Sequence, residues 1–181
     1  MVHGILIGLL LLAGVVVRLW HVERLSERAK RLSEGGFLLA FSGLLAKMAM
    51  ADGVVSADEI EMVEKMFADM GLSRAERAMC VGNFMLAQRE LMGAKEYTLA
   101  IAESMNRMAC SFLFGILWKI VMADGHVSSE EEALLSEIGI AFGLGENATA
   151  DLRLHGLPAY DTHALKVAGV PSGLVKFARC E

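Results

Sequence analysis

Apolar residues fall into distinct regimes along the chain, and each predicts a different helix. From Met1 to Val17 no charged side chain interrupts the run. From Phe37 to Met50 the chain is again apolar, with Lys47 its only charge, and Ser111 to Met122 repeats that pattern around Lys119. A helix apolar on all sides is a buried one. The stretch after Met50 behaves differently. Ile60, Val63, Phe67 and Met70 recur at helical spacing, while Glu61, Glu64, Lys65 and Asp69 face away, with Glu61 and Lys65 placed as an i,i+4 pair. Gly71 and Gly143 stand where a left-handed residue ends a helix. Ser73-x-x-Glu76 opens a further helix to about Arg89, a helix from about Glu96 to Cys110 links the two halves, and residues 145–157 predict a last short one. The fold class is therefore all-α, a bundle of about seven helices.

The bundle is built on a repeat. Met50-Ala51-Asp52-Gly53-Val54-Val55-Ser56-Ala57-Asp58-Glu59 returns as Met122-Ala123-Asp124-Gly125-His126-Val127-Ser128-Ser129-Glu130-Glu131, seven of ten positions identical at an offset of 72. The match extends back to Leu45/Leu117 and Lys47/Lys119 and forward to Gly71-Leu72 and Gly143-Leu144. A fixed period of this kind marks a duplicated helix–loop–helix with internal pseudo-twofold symmetry. A second span over Phe37–Met50, which its hydropathy raises as an alternative, is disfavoured because its partner, Ser111–Met122, is too short to cross a bilayer.

Composition changes the reading of the N-terminus. Of the 181 residues 55% are apolar, and mean hydropathy is +0.47. Residues 1–31 carry five basic and two acidic groups, whereas residues 32–181 carry twelve and twenty. Arg18, Arg24, Arg28, Lys30 and Arg31 follow the apolar run, the wrong side for a cleaved signal peptide. A buried core helix is the other competitor. The pattern favours a membrane anchor with Trp20 and His21 at the interface and the basic collar held inside, so that the N-terminus faces out and the rest lies in the cytosol. Gly4 and Gly8 form a G-x-x-x-G spacing that favours homodimerisation of such a helix. The expected organisation is an anchor at 1–20, a basic juxtamembrane helix or linker at 21–35, a helical domain at 36–157 and a tail at 158–181. That tail holds both prolines and reads as either a small appended element or a disordered segment. No basic face supports nucleic-acid binding. Cys80 and Cys110 read as buried thiols, with no disulfide or zinc pattern among the three cysteines.

The repeated loop supports two readings. In the first, Asp52-Gly53 and Asp124-Gly125 form a tight turn, Ser56 and Ser128 are N-caps, Glu59 and Glu131 complete capping boxes, and Val55 and Val127 staple the incoming chain. In the second, Asp52, Asp58 and Glu59 meet Asp124, Glu130 and Glu131 across the pseudo-twofold and hold calcium or magnesium, which favour hard oxygen ligands. An EF-hand is excluded on spacing. Counted from Asp52, its central glycine falls on Ala57 and its twelfth-position glutamate on Val63. No nucleophile elbow, phosphate loop, H-E-x-x-H or Cys/His constellation points to an enzyme. Met62, Met66 and Met70, with Met79, Met85, Met105 and Met108, read as core filling.

An apolar helix followed by A-D-G-x-V-S-x-x-E, given twice at Ala51–Glu59 and Ala123–Glu131, resembles the TerB-like family, named for tellurite-resistance proteins. Together with the anchor and basic collar, residues 1–155 are similar to the N-terminal region of membrane-anchored co-chaperones of the DjlA type. That resemblance implies a bacterial inner-membrane protein facing the cytosol, a role in stress response, and a cytosolic partner such as the DnaK chaperone system. It also implies that acidic loop residues proposed to bind metal map to Asp52, Glu59, Asp124 and Glu131. The chain departs from the co-chaperone pattern in lacking His-Pro-Asp, although Tyr160 to Pro171 echoes a J-domain opening. The expectation is a membrane-anchored, non-enzymatic interaction module unable to act as a J protein itself. The alternative is a divalent-cation-binding stress protein of TerB type.

Overall fold

A computed structural model describes residues 13–14, 36–51, 53, 55, 57–122, 126–145, 147, 150–151, 160–168 and 170–179. Among them are eight helices and no strand. Helix α1 spans residues 36–49. It is followed by α2 (Ala57–Asp69), α3 (Arg74–Ala87), α4 (Ala94–Ser104), α5 (Arg107–Val121), α6 (Ser129–Ala141), α7 (Thr162–Val167) and α8 (Ser172–Arg179). The proposed anchor lies outside the described residues except for Ala13 and Gly14, so Gly4 and Gly8 are not placed. Among the described residues no helix is long and apolar enough to cross a membrane.

The two wholly apolar segments form the centre. In α1, Phe41, Leu44 and Ala46 are fully buried; in α5 the buried set includes Leu113, Phe114, Ile116 and Leu117. Each large side chain so buried contributes roughly 1.5–3 kcal/mol. The remaining helices pack around this centre. Phe41 meets Phe67 of α2 edge-on at 6.5 Å between centroids. Asn83 of α3 donates to the Leu39 carbonyl (2.8 Å) and to Ser42 Oγ (3.0 Å), which satisfies a polar node where Ser42 is wholly buried. Helix α4 lies against α1 through Tyr97, and also packs on α5 and α6.

The duplication seen in the sequence is reproduced in the backbone. Helices α2 and α6 each have 13 residues, and both ends are displaced by the same 72 positions. Their C-terminal ends match bond for bond. The Leu72 N–H donates to the Phe67 carbonyl (3.3 Å), as Leu144 does to Gly139 (2.9 Å), around Gly71 at φ 75° and Gly143 at φ 70°. This is the six-residue closure that satisfies carbonyls left over at a helix end. The interior does not match so closely: fully buried Phe67 of α2 has buried Gly139 as its counterpart in α6.

Two expectations are corrected, and of the two readings of the tail the appended element is the one seen. The single linking helix over Glu96–Cys110 is two helices, α4 and α5. Met105 leaves the helix at φ −129°, ψ 150°, and Asn106 Oδ1 accepts from the Ala109 N–H at 2.9 Å to start a new one. The tail is a folded element: Leu165, Val170, Leu174 and Val175 are buried in the same core as the rest. The methionines divide, with Met66 and Met70 inside and Met62 (60%), Met79 (42%) and Met85 (47%) exposed. The helix expected at 145–157 falls mostly outside the described residues, with only 150–151 helical among those described.

Candidate functional site

The candidate site is the junction where α1 hands the chain to the first Asp-Gly loop. At the end of α1 the Met50 N–H donates to the Ala46 carbonyl (3.2 Å) and Ala51 to Met48 (3.0 Å), tightening the last turn. Gly53 then closes onto the Met50 carbonyl (3.3 Å) at φ 143°, a conformation that residues with a Cβ rarely adopt. Val55 packs half-buried on the core immediately before α2, and Val127 does the same before α6. Both valines reach the core at the position the sequence assigns to a staple, but in the second copy the fourth helical residue that would complete one is the charged Glu132.

The second copy shows its capping chemistry in full. Glu131 Oε2 accepts from the Ser128 N–H (2.8 Å) and from Ser128 Oγ (2.9 Å), while Ser128 Oγ accepts from the Glu131 N–H (3.2 Å). Ser128 is the N-cap of α6, and the reciprocal pair is a complete capping box. One oxygen of Glu131 is thus occupied by helix-terminus hydrogen bonds. Glu130 accepts from Ser129 Oγ at 2.9 Å, and its own backbone N–H together with that hydroxyl holds its carboxyl below the usual range. Glu130, Glu131 and Glu132 all lie in the first turn, where acidic charge complements the helix dipole.

Of the four residues predicted to hold a metal, Glu131 is the one whose side chain is placed. Asp52 and Asp124 lie outside the described residues, and Glu59 is in α2 with its carboxylate undescribed. Among the described residues no cluster of three His, Cys, Asp or Glu side chains forms a metal-binding group.

Residues from both copies line one cleft. An open cleft of ≈ 470 Å³ has Lys47, Met50 and Ala51 of the first copy on one side and Glu130, Leu134 and Glu137 of the second on the other. Lys47 Nζ donates to the Glu90 carbonyl at 2.9 Å. Burial pushes its amine below the usual lysine range, an effect partly offset by Glu90 and Glu96. Sequence reasoning noted Lys47 and Lys119 as matched charges without assigning them a role. The signal was there: a lone lysine in an apolar helix needs a nearby acceptor, and here a carbonyl past the end of α3 supplies it.

The thiols are sealed. Burial, with a smaller contribution from Glu76, pushes Cys80 up to about 11, and burial also raises Cys110. Neither has the electropositive, accessible setting of a reactive cysteine.

In a comparison with known families, the model for TerB, tellurite resistance protein TerB, aligns with residues 38–154. That stretch runs from α1 through α6 and includes both Asp-Gly loops. No curated protein and no solved structure matches the chain.

Proposed function

The chain belongs to the TerB family of tellurite resistance proteins, and from that premise we propose that it works as a membrane-tethered, non-enzymatic interaction module of stress response. Residues 1–20 anchor it in a bacterial inner membrane with the helical domain in the cytosol. The apolar run to Val17 and the basic collar after it support this orientation. The G-x-x-x-G spacing of Gly4 and Gly8 supports pairing of two anchors. The likeness to co-chaperones of the DjlA type supports a cytosolic protein partner, with the DnaK system the first to test.

One observation carries the choice of an interaction module over a ligand site: Glu131 is engaged by both the amide and the hydroxyl of Ser128. In the second copy the repeated serine and glutamate are accounted for by helix capping, which leaves the surfaces between helices to carry function. Site-specific crosslinking of the full chain in bacterial membranes tests the proposal. A discrete partner captured from the cytosolic face supports it, and recovery of the chain in the soluble fraction overturns it.

A second reading is favoured by the cleft, which is lined both by Ala51, the residue before Asp52, and by Glu130 of the other copy. In that reading Asp52, Glu59, Asp124 and Glu131 supply oxygen ligands to calcium or magnesium between the loops. Thermal stabilisation by millimolar divalent cation, lost on chelation and in the Asp52→Asn/Asp124→Asn double variant, supports it. A melting curve indifferent to cation and chelator removes it.

A further inference from the structure

The family match ends at residue 154, yet the chain beyond it is folded onto the domain. Tyr160 begins the contact. Its ring meets Phe112 of α5 edge-on at 5.1 Å, and its hydroxyl lies 3.1 Å from Ser111 Oγ. Helix α7 then buries Leu165 to 1%, and α8 buries Leu174 to 1% and Val175 to 6%. Helix α8 packs on α7 and on α2. At Gly173 the backbones come so close that a Cβ would run into the Met70 carbonyl oxygen.

These contacts have the form of a ligand in a groove. One face of a short amphipathic helix is aliphatic and buried, and a glycine allows close approach at one point. In composition, helix α2 has five acidic residues and one lysine, and α8 has Lys176 and Arg179 with no acidic residue. Helix-in-groove recognition uses the same elements: apolar anchors at helical spacing and charge around the rim.

We infer that the surface of the family domain covered by the tail, α2 together with Ser111 and Phe112 of α5, is a receptor groove for an amphipathic helix with an aliphatic inner face and an exposed lysine outside, and that residues 160–179 hold this groove closed as its intramolecular occupant. Tethered in this way, the tail acts at an effective concentration on the order of millimolar, so a free helix of moderate affinity cannot enter. A partner helix engages the domain only when the tail is displaced.

The test uses the full chain in mild detergent and a fluorescent peptide of residues 160–179. Gly173→Leu, which cannot approach Met70, is expected to release the tail and let the peptide bind saturably. Wild type is expected to bind it at least tenfold more weakly. Raising the salt concentration is expected to weaken binding to the variant, because the net charges of α2 and α8 are opposite in sign and salt screens their attraction. Equal binding by both chains, or by neither while the variant keeps its helical circular dichroism, overturns the proposal. Hydrogen exchange on the wild-type chain gives an independent readout should the variant lose its fold. Tail amides at 162–175 are expected to exchange at least tenfold faster than those of α5, because an occupant leaves its groove without unfolding the core. Equal protection in both would make the tail part of the core and overturn the inference.

Discussion

Gly43 of α1 and Tyr97 of α4 are in such close contact that a β-carbon on Gly43 would fall within the Tyr97 ring. Tyr97 is completely buried, and its hydroxyl donates to Glu90 Oε2 at 3.2 Å, so the ring has little room to retreat. The missing side chain at position 43 is therefore what lets α4 lie against α1.

Gly43→Ala is expected to destabilise the domain by about 1–3 kcal/mol, the usual cost of overfilling a packed core. Urea denaturation measures it. In a Tyr97→Ala background the same substitution should cost much less, since the collision has been removed. Additive losses would mean that the two residues do not meet.

The α6 cap gives a second prediction. Ser128→Ala and Glu131→Ala should each lower stability by about 1 kcal/mol, as expected for loss of an N-cap interaction. The loss should be the same with chelator as with millimolar calcium. A loss seen with cation alone would instead make Glu131 a ligand.

Gly71 and Gly143 provide a paired test of the repeat. Both have positive φ, at 75° and 70°, in open surroundings where an added Cβ meets nothing. Alanine at either site should therefore cost only the left-handed backbone penalty, about 1–2 kcal/mol. Thermal melts of the two variants should shift by similar amounts. A much larger shift for one would show that the two helix ends bear different loads.

Cys80 links stability to alkaline pH. Its thiol is neutral in the core and is held to about 11 against an ordinary 9.0. A pKa raised on folding favours the native state below the unfolded value, because the unfolded chain gives up its proton first as pH rises. The native state should thus lose stability between about pH 9 and 11, and Cys80→Ala should lose less over the same interval. Denaturation midpoints at pH 8 and pH 10 measure the difference. Thiol reagents should label Cys80 no faster than the domain opens.

The sequence made the frame of this fold legible because the frame rests on short-range rules. Glycines at helix ends, serine caps and an apolar stripe at 3.6-residue spacing all act within a few residues of one another. The break at Met105–Asn106 was hidden because the apolar periodicity of the segment runs on past it, and one asparagine side chain decides where α5 begins. The order in the tail was hidden for a different reason. Pro158 and Pro171 read as breakers, and the stabilising partners, Phe112 and Met70, lie far away along the chain. The exposure of Met62 and Met79 was likewise set by which neighbours arrived, a fact that spacing alone does not carry. Of the candidate site, the capping pair at Ser128 and Glu131 was read in full. The cleft at Lys47 was not, since it exists only where the two copies touch.

The Phe67/Gly139 pairing bears on how a duplicated module can diverge. Because α2 and α6 keep the same length and the same C-terminal hydrogen bonds, residues 57–72 could be grafted over 129–144 without disturbing the C-terminal end of the helix. The graft would nonetheless place a full aromatic ring where the recipient has a buried glycine. The copies are interchangeable as backbone and not as packing, so each half of the molecule has become committed to its own neighbours.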